Sequence, residues 1–235
     1  MNDPGALEGF IGKWRARWPE WRIAEVFVPA SQRDTALAWF ALLQELTDAA
    51  WSGEDSTPGL AKLAWWQDEL QGWSQGRRRH PLGAALQLRP APWMALSAAL
   101  PALRSHRVLP RDIGDVFVGM HAFADAVAGV EDVLFDTHLS VPDLVAATLL
   151  ATHPALSAAD HEPLRTTLLS QWPAVRGPRV RRIVSTLAHA RLKPVRQKHG
   201  RLKHVPLEHV PLEHASSQPL PPWRTLWLAW HAARD

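Results

Sequence analysis

The amino-acid sequence predicts an all-α protein with a single domain. Apolar residues recur at the i, i+3, i+4 spacing of amphipathic helices along most of the chain, and the alternating pattern of β-strands is scarce. Prolines and glycines interrupt the helical pattern at intervals that suit short connections. A chain of 235 residues can bury one sizeable core. We therefore expect a bundle of roughly eight to ten helices, since helices average about three turns.

The first part of the chain predicts three helical segments. Residues 5–18 carry apolar side chains at helical spacing until Pro19 ends the run. A short segment follows over residues 21–27. Ser31 is a favourable N-cap for the third helix, which we expect to continue to about residue 51.

The middle of the chain predicts six further helices, separated by prolines, glycines or polar loops. We expect Ser140 to cap the fourth of them, with Pro142 at its start. The six expected ranges are residues 58–75, 93–105, 111–130, 141–152, 163–172 and 179–192.

The C-terminal part of the chain differs from the helical region before it. We divide the chain into a helical domain at residues 1–193, a Pro- and His-rich loop at residues 194–222, and an amphipathic helix at residues 223–235 that packs on the domain. Trp223, Trp227 and Trp230 lie on one side of this last helix.

The pentapeptide HVPLE occurs twice in tandem inside the predicted loop, at residues 204–208 and 209–213. Its prolines exclude a continuous helix. The repeat spaces His204, His209 and His214 five residues apart, whereas recognised zinc sites use closer spacing such as i, i+4 on a helix. We therefore interpret the repeat as a tandem duplication in a surface loop and predict no metal site.

The composition excludes several classes of chemistry. The chain has no Cys, so it forms neither disulfides nor thiolate metal sites, and it has no Tyr to supply a phenol. It also lacks the Gly-x-Ser-x-Gly elbow of hydrolases and a phosphate-binding Gly-rich loop. No run of about 18 uninterrupted apolar residues occurs, and the N-terminus does not resemble a secretory signal. We expect a cytoplasmic protein and leave peripheral membrane association open.

The formal net charge of +3 is unevenly distributed along the chain. Residues 163–207 contain eleven Lys and Arg and no Asp or Glu. This asymmetry indicates either an anionic partner (a diphosphate, a lipid headgroup or nucleic acid) or a solvated face neutralised by acids from elsewhere. Aromatic residues hardly interleave with these cations, which disfavours nucleic acid. Arg179, Arg181 and Arg182 are the candidate anion-binding residues.

Two pairs of acids are candidates for a metal or diphosphate site. Glu45 and Asp48 are three residues apart on a predicted helix, so they share a face and could share a Mg²⁺ ion. Acids at this spacing are also common on solvated helix surfaces, and the spacing alone favours that interpretation. Asp68 and Glu69 are adjacent and do not share a face, so one could join the acidic side while the other pairs with Lys62 or Arg77.

Several strings between residues 21 and 150 carry a family resemblance, and KLAWWQDEL at residues 62–70 is the most specific. It is similar to the AWWRDEL helix of the squalene/phytoene synthase family of all-α isoprenoid synthases. IAEVFVPASQRDTALAWFALLQEL at residues 23–46 resembles the segment that leads into the family's first aspartate-rich helix. His80–Pro81 and LPRDI at residues 109–113 continue the similarity in the same order. The resemblance implies an isoprenoid-synthase-like helical bundle.

The chain departs from this family at its aspartate-rich motifs. The first motif falls on residues 47–52, where Asp48 is the only acid, and no Asp occurs between Asp160 and Asp235 to form the second. Family enzymes ionise an allylic diphosphate with Mg²⁺ held between two aspartate clusters. The resemblance therefore implies no resident cofactor here. A branch that includes an assembly factor of mitochondrial respiratory complex I similarly lacks these motifs.

These observations predict a catalytically degenerate squalene/phytoene synthase-like protein. We expect it to bind a prenyl or other apolar ligand, or a protein partner, without standard Mg²⁺-dependent coupling. The alternative is a prenyl-diphosphate transferase of isoprenoid or carotenoid biosynthesis, in which Glu45, Asp48, Asp68 or Glu69 forms a non-standard Mg²⁺ site. A weaker alternative is a helical protein that contacts nucleic acid through its basic residues. No catalytic residue is assigned.

Overall fold

A computed structural model describes residues 4–139, 141–193 and 219–234. Within these ranges the protein is all-α and forms a single domain, as the sequence predicts, with no β-strand. The helices are α1 Pro4–Arg17, α2 Trp21–Ala24, α3 Arg33–Trp51, α4 Thr57–Ser74, α5 Gly83–Leu86, α6 Trp93–Ser105, α7 Ile113–Leu134, α8 Pro142–Leu150, α9 Glu162–Ser170, α10 Arg179–Leu192 and α11 Pro222–Arg234. The described helices outnumber the expected eight to ten by one, because α5 is a single turn that the sequence did not predict.

Helix α3 lies at the centre of the bundle and contacts α1, α4, α5 and α6. Of its 19 residues 15 are buried, which is typical of a helix that is apolar on all sides. It begins at Arg33, one residue later than a cap at Ser31 would place it, because the turn Ala30–Gln32 is a 3₁₀-helix that includes this serine. Gln32 occupies the N-cap position, but its side chain accepts no hydrogen bond from the helix, and its amide instead donates to the carbonyl of Phe135.

Tryptophan side chains form much of the core around α3. Trp39, Trp66, Trp73 and Trp93 are almost completely buried. The rings of Trp73 and Trp93 meet edge to face, with their centroids 5.0 Å apart. Trp65, the neighbour of Trp66 in KLAWWQDEL, remains partly exposed at the edge of the core. The string therefore supplies four of the buried residues of α4, namely Leu63, Trp66, Glu69 and Leu70.

Helix α7 is the longest helix and starts and ends later than the sequence predicts. Asp112 caps its N-terminus by accepting hydrogen bonds from the backbone of Gly114 at 2.8 Å and Asp115 at 3.2 Å. The chain leaves the helix at Asp136, whose φ is positive. By length and composition alone α7 could cross a membrane, although half of that stretch is buried inside the bundle, as in a core helix.

The C-terminal helix α11 packs on α10 and α2. Its buried residues are small, namely Thr225, Ala229, Ala232 and Ala233. Helix α8 begins at Pro142, one residue after the start of the expected range, and Val141 occupies its N-cap position in place of the expected Ser140, which lies outside the described residues. The HVPLE repeat, its histidines and the basic residues of positions 194–207 also lie outside them.

Candidate functional site

Glu45 is a buried carboxylate whose two oxygens are both taken by lysines. Lys13 of α1 donates to Oε1 at 2.7 Å, and Lys62 of α4 donates to Oε2 at 2.5 Å. Burial alone would raise the pKa of Glu45, but the hydrogen bonds and charges of Lys62 and Lys13 lower it below its ordinary value. Glu45 is therefore an ionised anchor that joins α1, α3 and α4.

Asp48, one turn further along α3, completes the same cluster. Arg17 donates from Nη1 to Oδ1 at 2.7 Å, and Lys13 Nζ lies 3.3 Å from Oδ2. Lys13 therefore bridges both acids, and three cations surround two carboxylates. We call Glu45, Asp48, Lys13, Arg17 and Lys62 the ion-pair cluster. The face is neither a free acidic surface nor an open metal site.

Glu69 faces a different part of the molecule and holds the chain that leaves α4. Its carboxylate accepts from Trp73 Nε1 at 2.8 Å, from the backbone of Arg79 and His80 at 2.7 and 2.8 Å, and from Arg79 Nε at 2.9 Å. Burial would raise the pKa of Glu69, but these hydrogen bonds lower it. These four hydrogen bonds tie the loop before α5 to the end of α4.

Asp68 is exposed and pairs with no residue that the structure describes. The expected pairing of Asp68 or Glu69 with Lys62 or Arg77 is wrong, since Lys62 pairs with Glu45 and Arg77 contacts Gln75. The four candidate acids thus occupy three separate environments. Across residues 4–139, 141–193 and 219–234, no group of three or more His, Asp or Glu side chains could hold a metal ion.

His80 lies between the ion-pair cluster and the Glu69 loop. Its ring packs against Phe10 and Trp66, with centroids 4.5 Å away in each case, and its Nδ1 accepts from the backbone of Leu82 at 3.2 Å. Burial lowers the pKa of His80 to about 4, despite the opposing charge of Glu45. The imidazole is neutral at pH 7 and contributes no positive charge to an anion site.

Of the three candidate anion-binding arginines, Arg181 is buried and already paired. Its guanidinium binds Glu131 of α7 through Nη2 and through Nε, the latter at 2.9 Å, and lies over the Phe40 ring. Trp39 Nε1 donates to the same carboxylate at 2.7 Å. This interaction joins α3, α7 and α10 and leaves Arg181 inaccessible to a ligand.

The other two arginines differ from Arg181 in exposure. Arg179 is exposed at the start of α10, and Arg182 is half-buried. The structure therefore does not present the three side chains together on one surface.

A small cavity lies near Arg181. It lies between α1, α3, α8 and α10, and its volume is about 40 Å³. Small-molecule sites typically measure about 300–1,000 Å³. The polar wall includes Gln44 and Thr148, and the apolar wall includes Trp14 and Phe40. A cavity of this size cannot enclose a prenyl chain.

A larger concavity of about 680 Å³ lies on the outside of α11. Its apolar lining comes from Phe27 and from the solvent-facing side of α11, and Arg224 supplies its charge. We call this surface the tryptophan groove. Its lining residues on α11 are Trp223, Arg224, Leu226, Trp227 and Trp230.

Sequence reasoning missed the cations of the ion-pair cluster. Lys13 and Arg17 are four residues apart, so they share one face of α1. That spacing was the available signal that α1 could oppose an acidic helix face.

A comparison with protein-family models, with curated proteins and with solved structures finds no match to this chain, so the family resemblance rests on the sequence motifs alone.

Proposed function

We propose that this protein is a catalytically degenerate, squalene/phytoene synthase-like binding protein that does not carry out Mg²⁺-dependent prenyl coupling. The observation that carries the proposal is the ion-pair cluster, in which the acids of the expected metal face are bound to cations of the same chain. The apolar ligand or partner is bound on the outside of the bundle, in the tryptophan groove.

The electrostatics of the cluster disfavour a divalent metal. Mg²⁺ needs carboxylate and phosphate oxygens in octahedral geometry and keeps several of its waters. Both oxygens of Glu45 already accept from ammonium groups, and Asp48 accepts from Arg17. An incoming dication would have to displace these groups while it was repelled by three neighbouring positive charges.

The size of the interior points to the same conclusion. A prenyl diphosphate needs a long apolar channel, and the cavity of about 40 Å³ beside α3 is far below that requirement. The groove on α11 is within the size range of ligand sites. It therefore supports the binding of an apolar ligand or partner at the surface better than it supports one inside the bundle.

The alternative functions lack comparable support. A transferase with a non-standard Mg²⁺ site would need Asp68 or Glu69 beside Asp48, whereas Asp68 is exposed and Glu69 accepts hydrogen bonds from Trp73 and from the loop before α5. Nucleic-acid binding through α10 would lose Arg181, because this side chain is buried against Glu131. We propose a cytoplasmic protein and leave peripheral membrane association open.

Incubation of the purified protein with farnesyl or geranylgeranyl diphosphate and Mg²⁺ tests this function. We expect no release of pyrophosphate and no rise in melting temperature on addition of Mg²⁺. An environment-sensitive apolar dye should bind the protein, and Trp227→Ala should weaken that binding. Pyrophosphate release that disappears in Asp48→Ala would overturn the proposal in favour of the transferase.

A further inference from the structure

Helix α11 shows the reverse of the usual arrangement of large and small apolar residues. Its small residues Thr225, Ala229, Ala232 and Ala233 face the bundle. Four of its five large apolar residues face solvent, with exposed fractions of 73% for Trp223, 48% for Leu226, 57% for Trp227 and 41% for Trp230, while Leu228 is half-buried against the core. Packing of α11 on the bundle therefore uses little of the apolar surface that the helix carries.

This orientation is not what folding alone would select. Burying a large apolar side chain stabilises a protein by about 1.5–3 kcal/mol, and aromatic side chains bury the most area. A helix whose only role was to close the bundle would turn its indoles inward. The outward tryptophans form a continuous apolar surface that needs another partner to cover it. Val26, 58% exposed, lies just beyond α2, on which α11 packs.

The charges on the same helix are all positive. Arg224 lines the groove near the start of α11, and the Arg234 guanidinium lies 4.4 Å from the centre of the Trp230 ring near its end. His231 packs between Trp227 and Trp230, with ring centroids 4.3 and 4.8 Å away. No Asp or Glu occurs from residue 214 to residue 234. The partner must therefore offer an apolar region deep enough to receive the indoles and a negatively charged surface.

We infer that the outward face of α11 binds the surface of an anionic phospholipid bilayer. The helix has 13 residues and is about 20 Å long, so it can lie in the plane of the membrane interface. The indoles enter the boundary between headgroups and acyl chains, which is the preferred position of tryptophan, and Arg224 and Arg234 contact lipid phosphates from its two ends. This inference rests on the proposed binding function, since it names the partner of the tryptophan groove.

Co-flotation with lipid vesicles tests the inference. The full-length protein is mixed with vesicles of phosphatidylcholine containing about one third phosphatidylglycerol, or with pure phosphatidylcholine vesicles. We expect strong flotation with the anionic vesicles only, and less of it at high salt. Trp227→Ala should reduce the partition coefficient at least about tenfold. The double variant Arg224→Gln/Arg234→Gln should also reduce it about tenfold or more.

Matched controls distinguish a loss of vesicle binding through the outward face of α11 from general effects of substitution. Trp65→Ala removes a partly exposed indole on α4 and should leave flotation unchanged. Circular dichroism should show the same helicity and melting temperature for Trp227→Ala as for the unmodified chain, because Trp227 is already largely exposed.

Three results would overturn the inference. They are equal flotation with neutral vesicles, no flotation at all, and a concentration-dependent dimer in sedimentation velocity that Trp227→Ala abolishes. The dimer would show that a second copy of the chain covers the face. Absent flotation together with absent pyrophosphate release would refute the lipid partner alone, whereas Mg²⁺-dependent turnover would refute the proposed function.

Discussion

Loss of the Glu131 carboxylate should destabilise the protein more than loss of an exposed acid would. Glu131 and Arg181 are each about 1% exposed, so water does not screen either charge. Substituting Glu131→Gln leaves the Arg181 guanidinium buried without its counter-charge, and breaking a buried pair in this way typically costs about 3–5 kcal/mol. Because Gln can still accept from Trp39 Nε1, the substitution removes the charge of residue 131 and keeps that hydrogen bond.

Urea denaturation followed by tryptophan fluorescence measures this effect. We expect the midpoint to fall with an unchanged m-value, because the folded and unfolded surfaces stay the same. The double variant Glu131→Gln/Arg181→Met should recover much of the loss, since it removes both charges together. The exposed pair of Arg89 and Asp136 gives the control, and Arg89→Gln should change the free energy of unfolding by less than about 1 kcal/mol.

Two outcomes would refute this account of the buried pair. One is a loss below about 1 kcal/mol in Glu131→Gln, since that would place Arg181 in contact with water. The other is additive behaviour in the double variant, since residues in direct contact are expected to couple by about 0.5–3 kcal/mol. Either outcome would also make Arg181 a candidate anion-binding residue again.

Two further stability predictions follow from other buried positions. Burial holds the pKa of His153 at about 4, below its ordinary 6.5, and the neutral ring accepts from the backbone of Ala155 at 3.1 Å. As the pH falls, the unfolded chain therefore takes up a proton at His153 before the folded protein does. The stability that the neutral His153 ring contributes is complete above pH 6.5 and is lost as the pH falls towards 4, by up to about 3 kcal/mol. His153→Gln should reduce that loss in a urea-midpoint profile against pH and leave the similar contribution of His80, and an unchanged profile would contradict the assignment. A Cβ at Gly59 would lie 2.3 Å from the carbonyl oxygen of Ala49, so Gly59→Ala should cost about 1–3 kcal/mol in thermal or urea unfolding. Gly12→Ala, where a Cβ meets nothing within 4 Å, is the control and should be neutral or stabilising.

Helical periodicity predicts the position of helices better than the way they begin and end. The range expected for α6 agrees with Trp93–Ser105, and the range for α10 agrees with Arg179–Leu192. The start of α3 is displaced by a 3₁₀ turn, which shares the dihedral region of the α-helix and leaves no mark in the apolar pattern. The later end of α7 at Leu134 reflects tertiary packing of its last turn.

The site was predictable only in part, because periodicity assigns a residue to a face and not to a neighbour. The i, i+3 spacing of Glu45 and Asp48 placed them correctly on one face of α3. Lys13 and Arg17 come from a helix more than 30 residues earlier, and Glu131 meets Arg181 across 50 residues. Such pairings depend on how helices pack, which the sequence of a single element does not encode.

The bridging position of Lys13 has a consequence for how the protein responds to its surroundings. A dissolved Mg²⁺ ion leaves its site whenever its concentration falls, but Lys13 belongs to the same chain as the two carboxylates that it contacts. Its effective concentration beside them is fixed by the fold, as for any tethered group. The positive charge at this face therefore does not vary with the supply of metal or with chelators. The ion pairs that join α1 and α3 are made by the chain itself when it folds.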